Sequence, residues 1–159
     1  MSSGYKFANV CRNGHCISDF LNTPEIKEHY CEVCGAETIV RCLNCAEPIR
    51  GKYNAPGVLD LTPFHVPKYC RVCGKPYPWT ESAIETASAI ILEDAELDES
   101  QSEALISSLP DIMAETPRTK LAVIRMKKAL MAVGKFTAEG LRDFAIDFGC
   151  ELAKRQLGL

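Results

Sequence analysis

What this chain of 159 residues lacks narrows the field first. No apolar run approaches the roughly 18–20 residues of a membrane helix, so no span is expected. No apolar stretch follows the opening Met-Ser-Ser-Gly-Tyr-Lys, so no signal peptide is expected and a cytosolic protein is. His-Glu-x-x-His is missing, as is a phosphate-cradling Gly loop, and no spacing suggests a Ser/His/Asp set. The usual sequence marks of an enzyme are therefore absent. Trp occurs once and His three times. Net charge is only −3, and 47% apolar with 25% charged residues is ordinary for a globular chain. The length allows one ordinary domain or two small ones.

Cysteine is what the chain has in excess: nine residues, eight of them before residue 74. Six fall in Cys-x-x-Cys pairs: Cys31/Cys34, Cys42/Cys45 and Cys70/Cys73. Two pairs repeat a longer phrase, Tyr-Cys-x-Val-Cys-Gly, and so read as copies of one unit. An odd count and regular spacing disfavour a disulfide framework. A thioredoxin-like reading needs a strand–helix context, whereas Pro, Gly and Asn crowd these pairs. Two Cys-x-x-Cys turns instead aim four thiolates at one point, a tetrahedral cage for Zn²⁺. The Gly after the second Cys suits a positive-φ backbone that turns amide N–H groups back toward sulfur.

The first cage draws on Cys11-Arg12-Asn13-Gly14-His15-Cys16, where Asn13-Gly14 marks a turn after a short strand from Tyr5. Cys11, His15 and Cys16 surround that turn, and two of the three join Cys31 and Cys34. The spacing leaves His15 and Cys16 as open alternatives. His29 reads as a solvated side chain. Thr23-Pro24-Glu25 is expected to start a helical turn. The second cage takes Cys42, Cys45, Cys70 and Cys73. Between its halves, Asn54-Ala55-Pro56-Gly57 is a turn tip, and Val58-Leu59-Asp60-Leu61 is expected to be a short strand. Half-sites paired in chain order match the internal repeat better than a cross-brace or a cage joining Cys31/Cys34 to Cys42/Cys45. So short a ribbon buries too little to fold unaided, and metal supplies the missing stability.

Beyond residue 79 the hydrophobic period changes to 3.6. Pro76-Tyr77-Pro78-Trp79 is a stiff connector that packs or, less simply, offers an aromatic docking surface. Thr80 is expected to cap a helix over 81–96. A second helix starts near Ser100 and stops at Pro110. A third is capped by Thr116 with Pro117 behind it and stops at Gly134, and Thr137 caps the last. Cys150 reads as a small buried residue. The expected fold is a small α+β protein. Two consecutive zinc ribbons of short β-hairpins occupy residues 1–79, with sites over 11–34 and 42–73. An all-α array of about four helices occupies residues 80–159.

Charge is segregated along the helical part. Residues 80–116 carry ten acids and no Lys or Arg, while residues 117–135 carry six bases and no acid. Opposite faces of that kind attract within one chain or between two. The basic helix with Arg118, Lys120, Arg125, Lys127 and Lys128, joined by Arg50 and Lys52 near Tyr53, is also the candidate nucleic-acid surface. The ribbon part has nine bases and seven acids, and bound thiolates bring it to about −1, less basic than nucleic-acid ribbons usually are.

Cys-x-Asn-Gly-His, Tyr-Cys-Glu-Val-Cys-Gly-Ala, Cys-Leu-Asn-Cys, Pro-Ile-Arg-Gly and Cys-Arg-Val-Cys-Gly-Lys-Pro-Tyr-Pro-Trp-Thr-Glu occur here in that order. Over residues 5–85 the chain resembles a family of uncharacterised bacterial proteins with a double zinc-ribbon N-terminus and a helical tail. The resemblance implies two structural Zn²⁺ ions and carries no activity. It also implies that Cys11 and His15 are the first pair of ligands. The expected function is a non-catalytic zinc-binding adaptor or scaffold that joins a protein partner and self-associates through its helical tail. The alternative is a nucleic-acid-binding accessory protein that uses the second ribbon and the basic helix 117–135.

Overall fold

The computed structural model describes residues 3–159. They divide into two compact units that meet at Glu81 and Ser82. The first is organised on one strand, β1 (Gly4–Cys11), which pairs antiparallel with β2 (Cys16–Leu21), β3 (Thr38–Ile39) and β4 (Arg50–Asn54). Phe7 pairs with Leu21 of β2 and Arg50 of β4, and Val10 pairs with Cys16 of β2 and Ile39 of β3. Strands β3 and β4 therefore lie end to end along the same edge of β1, opposite β2. The two cysteine-rich segments, consecutive in sequence, share a sheet instead of each building its own.

Register shifts occur in the pairing of β1 with both β2 and β4. Such irregularities sharpen twist, and the coiled sheet brings β4 onto the backbone of β2. Gly51 marks the contact. A Cβ there would press into the Asp19 carbonyl oxygen and sit 2.9 Å from the Phe7 carbonyl carbon. The core beneath is small: Ala8, Val10, Ile39, Ile49, Tyr77, Trp79 and the ligand-side Cys42 and Cys70.

Two sequence expectations in this unit are corrected. Residues 58–61 are not a strand, because Val58, Leu59 and Leu61 are exposed and no neighbouring strand accepts their backbone. The turn before them is as expected: Val58 N–H donates to Ala55 O at 3.1 Å, with Gly57 at φ +79° behind Pro56. Thr23-Pro24-Glu25 forms bends and no helical turn. The aromatic connector is internal. Tyr77 and Trp79 stack with ring centroids 4.7 Å apart, and Trp79, only 3% exposed, donates its indole N–H to Pro67 O at 2.9 Å.

The helical part has six segments where the sequence predicts about four: α1 (Pro78–Leu92), α2 (Glu99–Ile106), α3 (Leu109–Met113), α4 (Thr119–Ala132), α5 (Lys135–Phe148) and α6 (Glu151–Leu157). Two local causes add segments. Pro110 lies in the first turn of α3, where its missing N–H costs nothing, so it begins a helix instead of only ending one. Gly149, extended at ψ 146°, breaks the last helix, and an added Cβ would collide with Ala145 O.

Helix starts also shift. Pro78, not Thr80, opens α1, and Arg118 precedes α4. Asp98 forms a capping box with Gln101 at the start of α2. Thr137 lies inside α5 and bonds Asp94, which also accepts N–H groups from Glu96 and Gly134, at 2.9 and 3.1 Å. Those bonds, Thr137 first, hold the Asp94 carboxyl below its usual 3.8. Their stabilising effect is present above the unfolded pKa and is lost as pH falls through the folded one. The helices close on Ile91, Leu109, Ile112, Met126, Leu141 and Phe144, all buried.

Candidate metal centres

Each cluster is assembled from tight turns that the sequence repeats. In the three Cys-x-x-Cys knuckles, the residue four places after the first Cys donates its N–H to that Cys carbonyl: Gly35 to Cys31, Ala46 to Cys42 and Gly74 to Cys70, at 2.7, 2.9 and 2.9 Å. An isolated bridge closes each knuckle, Tyr30–Glu37, Arg41–Pro48 and Tyr69–Pro76. The closing residue has φ of +71° at Gly35, +61° at Ala46 and +70° at Gly74.

Ala46 is thus the one described non-Gly residue with positive φ. A left-handed alanine costs about 1–2 kcal/mol, against about 0.5–1 kcal/mol of entropy lost by Gly. Ala46→Gly is expected to stabilise the unit by about 0.5–1 kcal/mol and raise its melting temperature by about 3–5 °C. Unchanged or lower melting would refute the strain at this turn.

The fourth half-site is different. The turn between β1 and β2 is closed by Gly14 N–H to Cys11 O at 2.8 Å and Cys11 N–H to His15 O at 3.0 Å. Gly14 stands at φ +91°, and a Cβ on it would lie 3.1 Å from Trp79 Cβ. The single Trp therefore seats on the first knuckle. Nothing in the spacing pointed to that contact across the unit.

These turns gather two groups of four side chains: Cys11, His15, Cys31 and Cys34, and Cys42, Cys45, Cys70 and Cys73. Within each group all ligand atoms lie within 4.8 Å of one another. Half-sites are thus brought together in chain order. Cys16 starts β2 and lies outside the first group, while His15 points Nδ1 at all three sulfurs.

The separations test whether a metal fits. Two sulfurs about 2.3 Å from a tetrahedral ion stand about 3.8 Å apart, and a sulfur and an imidazole nitrogen about 3.6 Å. The observed Cys11–Cys34, Cys42–Cys73 and Cys45–Cys70 sulfur pairs are at 3.7, 3.7 and 3.6 Å. His15 Nδ1 is 3.5 Å from Cys11, 3.3 Å from Cys34 and 3.6 Å from Cys31. All nine cysteines are free thiols. Two clusters able to hold one metal ion each are therefore present.

Backbone amides prepare the sulfurs for negative charge. In each knuckle an N–H two residues past the second Cys reaches that sulfur: Ala36 to Cys34, Glu47 to Cys45 and Lys75 to Cys73. The Ala36 amide lowers Cys34 to about 6. Burial opposes ionisation of Cys70, yet amides of Cys73 and Val72 bring it to about 6. Cys45 receives the Glu47 amide, but desolvation and the sulfurs of Cys70, Cys73 and Cys42 push its thiol up to about 12. Four thiolates cannot share this space without a cation, so metal binding must displace protons. Metal affinity of the second cluster is accordingly expected to rise with pH through neutrality, and a competition titration at several pH values measures the slope. Cys16 is pushed up to about 11, by desolvation and then by Asp19, although part of its side chain is exposed.

The nucleic-acid candidates are scattered over both units. Arg50 lies 4.1 Å over the Tyr5 ring, and Tyr5 meets Tyr53 edge-on at 5.1 Å. Lys52 pairs with Asp19 at 3.9 Å. Arg125 is half-buried and donates to Ala104 O and Ser108 Oγ at 3.2 and 2.8 Å. Arg118, Lys120, Lys127 and Lys128 are exposed. No described helix is long and apolar enough to cross a membrane.

The chain belongs to the family described as an uncharacterized protein conserved in bacteria (DUF2321), whose profile matches residues 4–157. No curated protein and no solved structure matches it.

Proposed function

We propose that the protein is a non-catalytic adaptor whose first unit is held by two structural Zn²⁺ ions. Cys11, His15, Cys31 and Cys34 hold one, and Cys42, Cys45, Cys70 and Cys73 the other. The observation that carries this reading is the tetrahedral spacing of four protein ligands in each group. A zinc with four protein ligands has no open position for water or substrate, and thiolate-rich closed sites are structural. What remains for such a unit is to present surface. Each knuckle carries an exposed aliphatic residue between its cysteines, Val33, Leu43 and Val72. Rigid apolar tips of that kind suit a protein partner in the cytoplasm.

Substitution at the first turn tests the ligand set. His15→Ala is expected to lose one of two bound ions and to destabilise the first unit. Cys16→Ser is expected to keep both ions and the same stability. The reverse outcome would exchange the two roles.

A second reading rests on the exposed Tyr5, Tyr53 and Arg50. Aromatic rings and a guanidinium on a sheet are the parts that stack single-stranded bases. Against it, Lys52 and Arg125 are engaged within the chain. Fluorescence anisotropy of labelled single-stranded DNA and RNA at low salt separates the two. No binding there, where phosphate contacts are strongest, leaves the adaptor. Binding lost on Tyr5→Ala would favour the accessory role.

A further inference from the structure

Cys11, Cys31, Cys42 and Cys70 are buried, but the last ligand of each cluster in chain order is not: Cys34 is exposed and Cys73 half-buried. An asparagine reaches each of these two sulfurs. Asn13 places its side-chain nitrogen 3.4 Å from Cys34 Sγ, and the Asn44 side chain hydrogen-bonds to Cys73. Both asparagines stand two residues after the first ligand of their cluster, Cys11 or Cys42, and both contact its last. Each therefore bridges the two halves of a cage. Asn13 does so through its backbone as well, since its own N–H reaches the Cys11 sulfur.

The knuckle turn does not demand this residue. Knuckles 31–34 and 70–73 carry Val33 and Val72 where knuckle 42–45 carries Asn44, and all three close with the same N–H to carbonyl bond. Burial does not demand it either, because both asparagines are exposed and water would satisfy their amides. Asparagine is found only in the half-site that comes first in its cluster, from which it reaches across to the second. Its NH₂ end is the one that faces sulfur, since an amide oxygen there would be repelled by a thiolate.

We propose that Asn13 and Asn44 each donate a hydrogen bond to a metal-bound thiolate and so set how firmly its ion is held. A filled site with four cysteines carries a net charge of −2, and one with three cysteines and a histidine −1, with the excess on sulfur. A donor aimed at that sulfur draws density from it, as charge-assisted bonds do. The accessible thiolate then attracts incoming protons and competing metals less, and it leaves its ion more slowly. Outer partners of this kind are typically worth about ten- to a hundredfold in metal affinity. The two asparagines are thus positioning residues that act through Cys34 and Cys73. Their role rests on the two-ion reading above and names what tunes those two sites.

Cobalt(II) loaded into the full-length protein in place of zinc provides the test. Asn13→Asp and Asn44→Asp keep the size and turn preference of the side chain and remove the donor. Asn44→Val installs the residue that the other two knuckles already carry. In each variant the sulfur-to-cobalt charge-transfer bands are expected to move to lower energy, because a sulfur without its donor gives up electrons more readily. The ligand-field bands, which report tetrahedral geometry, are expected to stay in place. Competition with a chelator is expected to show one of the two ions held about tenfold more weakly, with the other as in wild type. Variants whose charge-transfer bands and both affinities match wild type overturn the role of the asparagines and leave the two ions standing. Displaced ligand-field bands also overturn it, since they would make asparagine a prop of the turn. A wild type that takes up no metal overturns the two-ion reading, and this role with it.

Discussion

Chelating the metal is expected to unfold the first unit and leave the helical unit standing. The first unit's packed cluster joins eight buried apolar side chains, and two of those are Cys42 and Cys70 themselves. The cluster of the helical unit, which is of similar length, joins fourteen. Structural zinc contributes about 10–16 kcal/mol of apparent binding energy in small modules, as large as the roughly 5–15 kcal/mol that separates most domains from unfolding. Trp79 makes the result readable. It is the single Trp, it is buried in the first unit's core, and it seats on the Gly14 turn beside the first cluster. A strong chelator should shift its emission to the red while the helical ellipticity is largely kept. Cys42→Ser or Cys70→Ser should do the same without chelator. Unshifted emission in metal-free protein would show that the sheet stands without its ions.

The second large effect is expected at Gly51, which carries no charge, ligand or turn. Gly51→Ala would push a methyl group into the Asp19 carbonyl and against the Phe7 backbone. Both obstacles are main chain, so no rotamer change relieves them. The expected cost is about 3 kcal/mol or more, the range of severe overpacking. Thermal melting followed by Trp79 fluorescence measures it. Gly35→Ala is the control, because an added Cβ there meets nothing within 4 Å and the strain is only that of φ +71°. Equal losses at the two positions would argue that β4 does not press on β2 as described.

How far residues alone reached can be judged from these positions. Cys-x-x-Cys is read directly because two thiolates three residues apart on a tight turn have little geometric freedom, and the repeated Tyr-Cys-x-Val-Cys-Gly fixed the second knuckle of each cluster. His15 and Cys16 are adjacent, so spacing could not separate them. Their separation is tertiary: Cys16 belongs to β2 opposite Val10, whereas His15 ends the turn and reaches the sulfurs of Cys31 and Cys34. The shared strand β1 was not legible either. A strand that pairs on both edges carries no mark of its second partner, and β3 has only Thr38 and Ile39 to show.

Gly51 has no legible mark in the sequence, since Gly serves a turn and a close approach equally well. Val58-Leu59-Asp60-Leu61 misled in the other direction, because apolar alternation without a neighbouring strand leaves an exposed loop. In the helical unit the 3.6-residue apolar period marks helices, but Pro110, Gly149 and the Asp94–Gly134 bond divide them in ways that periodicity does not encode. Segregated charge was visible from the start. That no ion pair among the described residues joins an acid of 80–116 to a base of 117–135 required the fold.

Elemental analysis of native, reduced protein bears most directly on the claim that cations clamp the first unit. Four-coordination of the two clusters predicts two zinc ions per chain. A folded protein with no bound metal, or one whose cluster sulfurs are linked to each other, would contradict it.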